Sequence, residues 1–214
     1  MNLAASRNLP EDSSMLFATL AFFHILNFGF SQAEISRQPL LASSIFTLPK
    51  THKDQFIDRK SIPALGYKSA GKRTMIAGIK DCVEIYDDQK YNLFFNDYVR
   101  PPPCFKEKAF AERFCKHLHS KVLHRLLTLT AIIMKMDDEE ALAKLHTFDA
   151  LSDCRMRYMI QHPRKAEELK VLEQADDGED DIIYRRTDFG TYALLFSQPV
   201  AALQVRAKEG NGSG

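Results

Sequence analysis

The stretch Glu107 to Met136 (EKAFAERFCKHLHSKVLHRLLTLTAIIMKM) constrains this chain more than any other, because it is its longest continuous helical pattern. Ala111, Cys115, Leu118, Val122, Leu126, Leu129, Ile133 and Met136 recur at steps of three and four, which sets them on one stripe of a 3.6-residue helix. Charges and histidines occupy the other face of its first half, and from Leu126 to Met134 only Thr128 and Thr130 interrupt the apolar residues. Burial is therefore expected to deepen toward the C-terminal half. A stripe of this length needs a core to lie against. At 214 residues, with 45% hydrophobic and 27% charged residues, the chain is long enough to build one.

The long helix is expected to sit in a cluster. Met136 to Glu140 (MDDEE) reads as a break with acids stacked on a new first turn, where the helix dipole favours them, and Ala141, Leu142 and Leu145 carry the apolar side that follows. A third helix is predicted from Thr147 or Asp149 through Tyr158 to Gln161, and Pro163 opens a fourth that ends before Gly178.

On either side of the helices the pattern turns to strand. Val83, Ile85 and Tyr86, then the polar Asp87-Asp88-Gln89-Lys90, then Tyr91, Leu93, Phe94 and Phe95 predict a β-hairpin within residues 75–98. A second is predicted at 182–205, from Ile182–Tyr184 and Thr191–Phe196 around Asp188-Phe189-Gly190, with Val200–Val205 as a further strand. The fold class is thus α+β, a helical cluster around a helix at about 107–136 flanked by antiparallel hairpins at about 75–98 and 182–205. Residues 75–206 form its domain, and the polar, glycine-rich tail 207–214 lies outside it.

Two N-terminal segments precede that domain. Residues 1–33 contain the uncharged run Met15–Phe30, which has three readings: a buried helix capped by Ser13 or Ser14, the apolar core of a signal peptide cleaved after Ala33, or a membrane anchor. Acids at Glu11 and Asp12 oppose the signal reading, and the run is shorter than the roughly 20 residues a membrane span needs. Intracellular, secretory and membrane-associated locations all stay open. Residues 34–74, punctuated by Pro39, Pro49 and Pro63, read as an extended arm or long loop, the kind of segment that wraps a neighbour.

Chemistry is harder to find. The 29 basic and 28 acidic residues balance, which removes any global attraction for nucleic acid. Cys82, Cys104, Cys115 and Cys154 form no CxxC pair and read as buried free thiols, with two structural disulfides as the alternative. Cys115 and His119, four apart on the long helix, fall far short of a four-ligand metal site, and no cofactor is expected. The single phosphate-like spacing is Gly66…Gly71-Lys72, but Arg73 stands where a magnesium-binding hydroxyl belongs and Thr74 comes one place late. Gly66, Gly71, Lys72, Arg73 and Thr74 are therefore the candidate anion ligands, in a basic turn rather than a complete phosphate loop. Neither a nucleophile beside a base nor a pair of placed carboxylates is legible. The sequence reads as a non-catalytic interaction or structural subunit, contacting a protein partner through the 34–74 arm and the Pro101-Pro102-Pro103 tract. The alternatives are a phosphate- or nucleotide-binding protein using 66–74 and a secreted, disulfide-held domain.

Overall fold

The computed structural model describes residues 23–58, 65–91, 94, 98–175 and 190–196. Its helices are α1 (Gln32–Phe46), α2 (Lys50–Lys53), α3 (Pro102–Lys106), α4 (Lys108–His117), α5 (His124–Ile133), α6 (Ala141–Leu145) and α7 (Ala166–Ala175). Its strands, β1 (Ile57–Asp58), β2 (Leu65–Lys68), β3 (Val83–Gln89) and β4 (Arg155–Gln161), form one antiparallel sheet in the order β1-β2-β3-β4. The fold is α+β, with a helix that continues from α4 to α5. Two compact units divide the chain: residues 30–120 with 148–193, and residues 1–29 with 121–147 and 194–214.

Helix α1 corrects the expectation of an extended arm at 34–74. Ser31 caps it, accepting from the backbone N–H of Glu34, while the Glu34 carboxylate takes the Ser31 N–H in return at 3.0 Å. Pro39 lies inside the helix, where it lacks an N–H for the previous turn and its ring crowds the carbonyl there, so the cap, the ion pairs to α4 and the buried side of the helix must together offset it. Arg113 binds Glu34 at 2.6 Å and Arg37 pairs with Glu107, tying α1 to α4 and its N-terminal cap. Gln38, Leu41, Ile45 and Phe46 form its buried side.

The sheet also departs from expectation. Asp87-Asp88-Gln89-Lys90 makes no hairpin turn: the first three residues end strand β3, and Asp87 pairs with Gly66 on one side and Arg157 on the other. Residues 155–161, read as the end of a third helix, form β4, whose full length pairs with β3 from Val83↔Gln161 to Gln89↔Arg155. Its sequence RMRYMIQ alternates in strand fashion, with Met156, Tyr158 and Ile160 turned to the core. Of the second hairpin, Thr191–Phe196 lies in no strand, and Ile182–Tyr184 and Val200–Val205 fall outside the described residues. One sheet face packs Tyr67, Tyr86 and Tyr158 against Leu41, Ile45 and Phe46 of α1 and Cys104 of α3.

The long helix runs as predicted, with one irregularity. Between α4 and α5 the residues Leu118–Leu123 adopt a π-helical turn, whose extra residue advances the stripe by roughly 100°. Before it, Phe110, Ala111 and Phe114 are buried; after it the buried set is Leu126, Leu127, Thr128 and Ala131, while Leu129 and Ile133 are only half-buried. In the unit containing α5 and α6, Glu140 accepts from Thr128 Oγ1 at 3.0 Å and meets His124 Nε2 at 3.1 Å. Helix α5 ends at Ile133 and Lys135 takes a left-handed φ of 55°, so the chain breaks slightly before the Met136–Glu140 stretch expected to interrupt it. Helix α7 buries Leu172, and Ala166, Leu169 and Val171 stay exposed.

Residues Met1–Phe22, including the first half of the uncharged N-terminal run, lie outside the described residues. From Phe23 to Phe30 the chain is not helical, and no helix among the described residues is long and apolar enough to cross a membrane.

Candidate functional site

The five residues with phosphate-loop spacing do not gather around one point. Gly66 is buried in β2, between Ile57 and Asp87, at a φ of 71° that favours glycine. Gly71 lies in the connection to β3, where its N–H reaches the chain's own Asp81, at 2.6 Å to Oδ1 and 3.0 Å to the carbonyl. The acceptor this glycine holds is therefore internal. Thr74 bridges Lys80 across the connection and accepts a 2.7 Å bond from its ammonium, while Lys72 and Arg73 are exposed. Only the single 3-10 turn Ile76–Gly78 follows, in place of an α-helix, so the backbone donors of a phosphate cradle are not assembled.

Charge is concentrated instead on β3. Its two faces carry separate networks, because successive side chains of a strand alternate. On the core face, Glu84 accepts from Lys53 Nζ at 2.7 Å and Tyr67 Oη at 3.1 Å and meets His162 Nε2 at 3.0 Å. Four residues on, Asp88 takes Arg100 Nε at 2.8 Å and the Tyr91 hydroxyl at 2.7 Å. The Arg100 guanidinium also donates to the Gln89 carbonyl at 3.0 Å and lies 4.1 Å from the Tyr91 ring centre and 5.0 Å from that of Tyr98. On the opposite face Asp87, fully buried, takes a two-pronged bond from Arg157 at 2.6 and 2.9 Å and one from Lys68 at 2.6 Å; Arg155 Nε stands 3.8 Å away.

These contacts set opposite pH dependences. Burial acts to raise the carboxyls of Asp87 and Glu84, but Arg157 and Lys68 for the first, and Lys53 and Tyr67 for the second, hold both below the usual carboxylate range. Each thus stabilises the fold above the unfolded carboxyl pKa of about 4 and loses that contribution as pH falls through its depressed folded value. Asp88 is pushed up by burial against the pull of Arg100, so its sign is reversed: it favours the fold when protonated and loses that share as pH rises. With two depressed groups against one raised, thermal melts taken from about pH 7 to about pH 3 are expected to show stability falling below about pH 4, and Asp87→Asn is expected to flatten that fall. An unaltered acid limb in Asp87→Asn would show that Asp87 does not carry it.

The cysteines read as free thiols are free in the structure. Cys104 is fully buried and its thiol is raised by that burial, and burial pushes Cys115 up to about 12. No bonded pair supports the disulfide-held alternative. Among the described residues no group of three or more His, Cys, Asp and Glu could hold a metal ion, and His119 packs edge-on against Phe148 with ring centres 5.4 Å apart.

One concavity joins two segments that sequence reading had singled out. Arg37, Leu40, Leu41, Ser44 and Leu48 of α1 and its C-terminal turn face Pro102, Pro103, Lys106 and Glu107 of α3 and its end, around a groove of about 410 Å³. Leu40 is 67% exposed, and Phe105, on the same short helix as Lys106, is 72% exposed. Pro101, buried, enters α3, and Pro102 and Pro103 start it where their missing N–H groups have no helical acceptor to lose. No protein-family model, curated protein or solved structure matches the chain.

Proposed function

We propose that this protein is a non-catalytic interaction subunit that holds a short partner segment in the groove between α1 and α3. The observation that carries this reading is the convergence of the 34–74 segment and the proline tract on one apolar groove that keeps Leu40 in solvent. Its floor is leucine and proline, surfaces that gain by losing water, and its rim charges are unequal. Arg37 and Glu107 satisfy each other, while Lys106 has no ion-pair partner among the described residues. The partner segment that fits is one apolar anchor beside an acidic residue, the anchor seated on Leu40 and Pro102 and the acid on Lys106.

Selection of displayed random peptides on the full-length protein tests this. Enriched peptides are expected to share that apolar–acidic pair, and Leu40→Asp is expected to cost roughly 2 kcal/mol, about thirty-fold in affinity, the scale of a central anchor position. Because Leu40 is exposed, the substitution leaves the core untouched. Lys72→Ala, in the β2–β3 connection, should bind the same peptides unchanged. An absence of any shared motif, or equal binding by Leu40→Asp, would remove the groove from consideration.

A further inference from the structure

We infer that the groove between α1 and α3 takes its partner segment as a short amphipathic α-helix laid along α1, an inference that rests on the groove reading above. The backbone of the walls decides this form. Both walls are helical and bond their backbone groups internally. At the end of α1 the Thr47 N–H and hydroxyl both donate to the Ser43 carbonyl, at 3.0 and 2.9 Å, and the Leu48 N–H donates to that of Ile45 at 3.2 Å. On α3 the Phe105 N–H donates to the Pro101 carbonyl at 3.1 Å and the Glu107 N–H to that of Pro103 at 3.2 Å, while Pro102 and Pro103 have no N–H to offer. Ser44 turns its hydroxyl to the Leu40 carbonyl at 2.9 Å. An extended segment would lose water from its own N–H and C=O groups and find no strand edge here to replace it, whereas a helix brings its backbone bonds with it. Proline-rich segments dock on aromatic rings, and no aromatic side chain is among the described residues that line this groove.

The spacing of the wall agrees. Arg37, Leu40, Leu41 and Ser44 line the groove at helical steps, a ridge of about two turns and roughly 10 Å, and Leu48 extends it past the end of α1. A helix laid against that ridge meets it through apolar residues at i, i+3 or i+4, and i+7. Lys106 supplies the charge complement. It lines the groove without an ion-pair partner among the described residues, while Arg37 and Glu107 satisfy each other, so the acid of the partner helix belongs at the edge of its apolar stripe. A segment of about 12 residues is too short to hold a helix alone in water, and it therefore folds as it binds.

The probe is the most enriched displayed peptide, made synthetically with alanine, glycine or proline at two central positions that the selection leaves unconstrained, and titrated into the full-length protein. Glycine at both positions is expected to weaken binding about twentyfold relative to alanine, and proline at one of them more than about a hundredfold, the scale of their helix propensities. Circular dichroism of the alanine complex should show more helix than its separated components. If the alanine and glycine forms bind equally and no helix is gained, in a peptide that Leu40→Asp still releases, the helical form is overturned and the groove reading stands. A peptide that binds Leu40→Asp as tightly as the wild type overturns both.

Discussion

Replacing Arg100 with alanine is expected to destabilise the protein by about 3–5 kcal/mol, the range found when one partner of a buried ion pair is removed. Asp88 is 1% exposed and would keep only the Tyr91 hydroxyl as a side-chain donor, and the Gln89 carbonyl would lose its guanidinium donor as well. Two aromatic rings that now cover the cation would lose it. The loss should grow with pH. An isolated buried Asp88 favours its protonated form, with a folded pKa above the unfolded one, so stability is retained at low pH and declines as pH rises through the folded value. Chemical denaturation of Arg100→Ala at about pH 5 and about pH 8 measures both effects. Adding Asp88→Asn should recover part of the loss, because an amide costs less to bury alone than a carboxylate does. A loss below about 1 kcal/mol, the size of an exposed pair, would mean that Arg100 and Asp88 are not a buried unit.

Phe114→Ala is the second large effect, expected at about 3–5 kcal/mol for a buried aromatic cut to a methyl group. Phe114 is fully buried on α4, with the Phe30 ring centre 4.5 Å away and that of Phe110 at 5.7 Å. Cutting it leaves a cavity that neither neighbour fills, because Phe110 is held under the Arg37 guanidinium, 4.1 Å from its ring centre. Glu112→Ala, exposed on the same helix, is the control and should stay within about 0.5 kcal/mol of the wild type. If the two substitutions cost the same in a urea melt, α4 is not packed through Phe114.

Both positions show where sequence reading stops. The stripe from Ala111 to Met136 marks the long helix but omits Phe110 and Phe114, which precede Ala111 and Cys115 by one residue and so lie about 100° round the helix from them. The π-helical turn at Leu118–Leu123 then moved the buried face to Leu127 and Ala131. Nothing local in LHSKVL announces that extra residue. For α1, by contrast, the signal was present. Ser31-Gln32-Ala33-Glu34 is a capping-box pattern, and Pro39 inside the same helix is a contrary local signal. The same holds for β4, whose arginines and apolar residues alternate over RMRYMIQ.

The groove was half legible. Its two walls were each expected to meet a partner, but that they face one another follows only from the packing of α1 on α3. The basic face was not legible at all. Lys68, Asp87 and Arg157 become neighbours because β2 and β4 pair with β3 in the observed register; a shift of one residue would turn Asp87 to the other face.

By itself, then, the sequence determined the α+β class, the long helix and the polar break at Met136–Glu140 that follows it, all properties carried by local periodicity or its interruption. Tertiary structure alone decided the fate of Asp87-Asp88-Gln89-Lys90. Four polar residues in a row favour a turn when their only alternative is water. They can end a buried strand only if cations from elsewhere replace that water, and those cations, Lys68, Arg100 and Arg157, are 19, 12 and 70 residues away from the acids they hold. The desolvation cost is local, whereas the interactions that offset it are not.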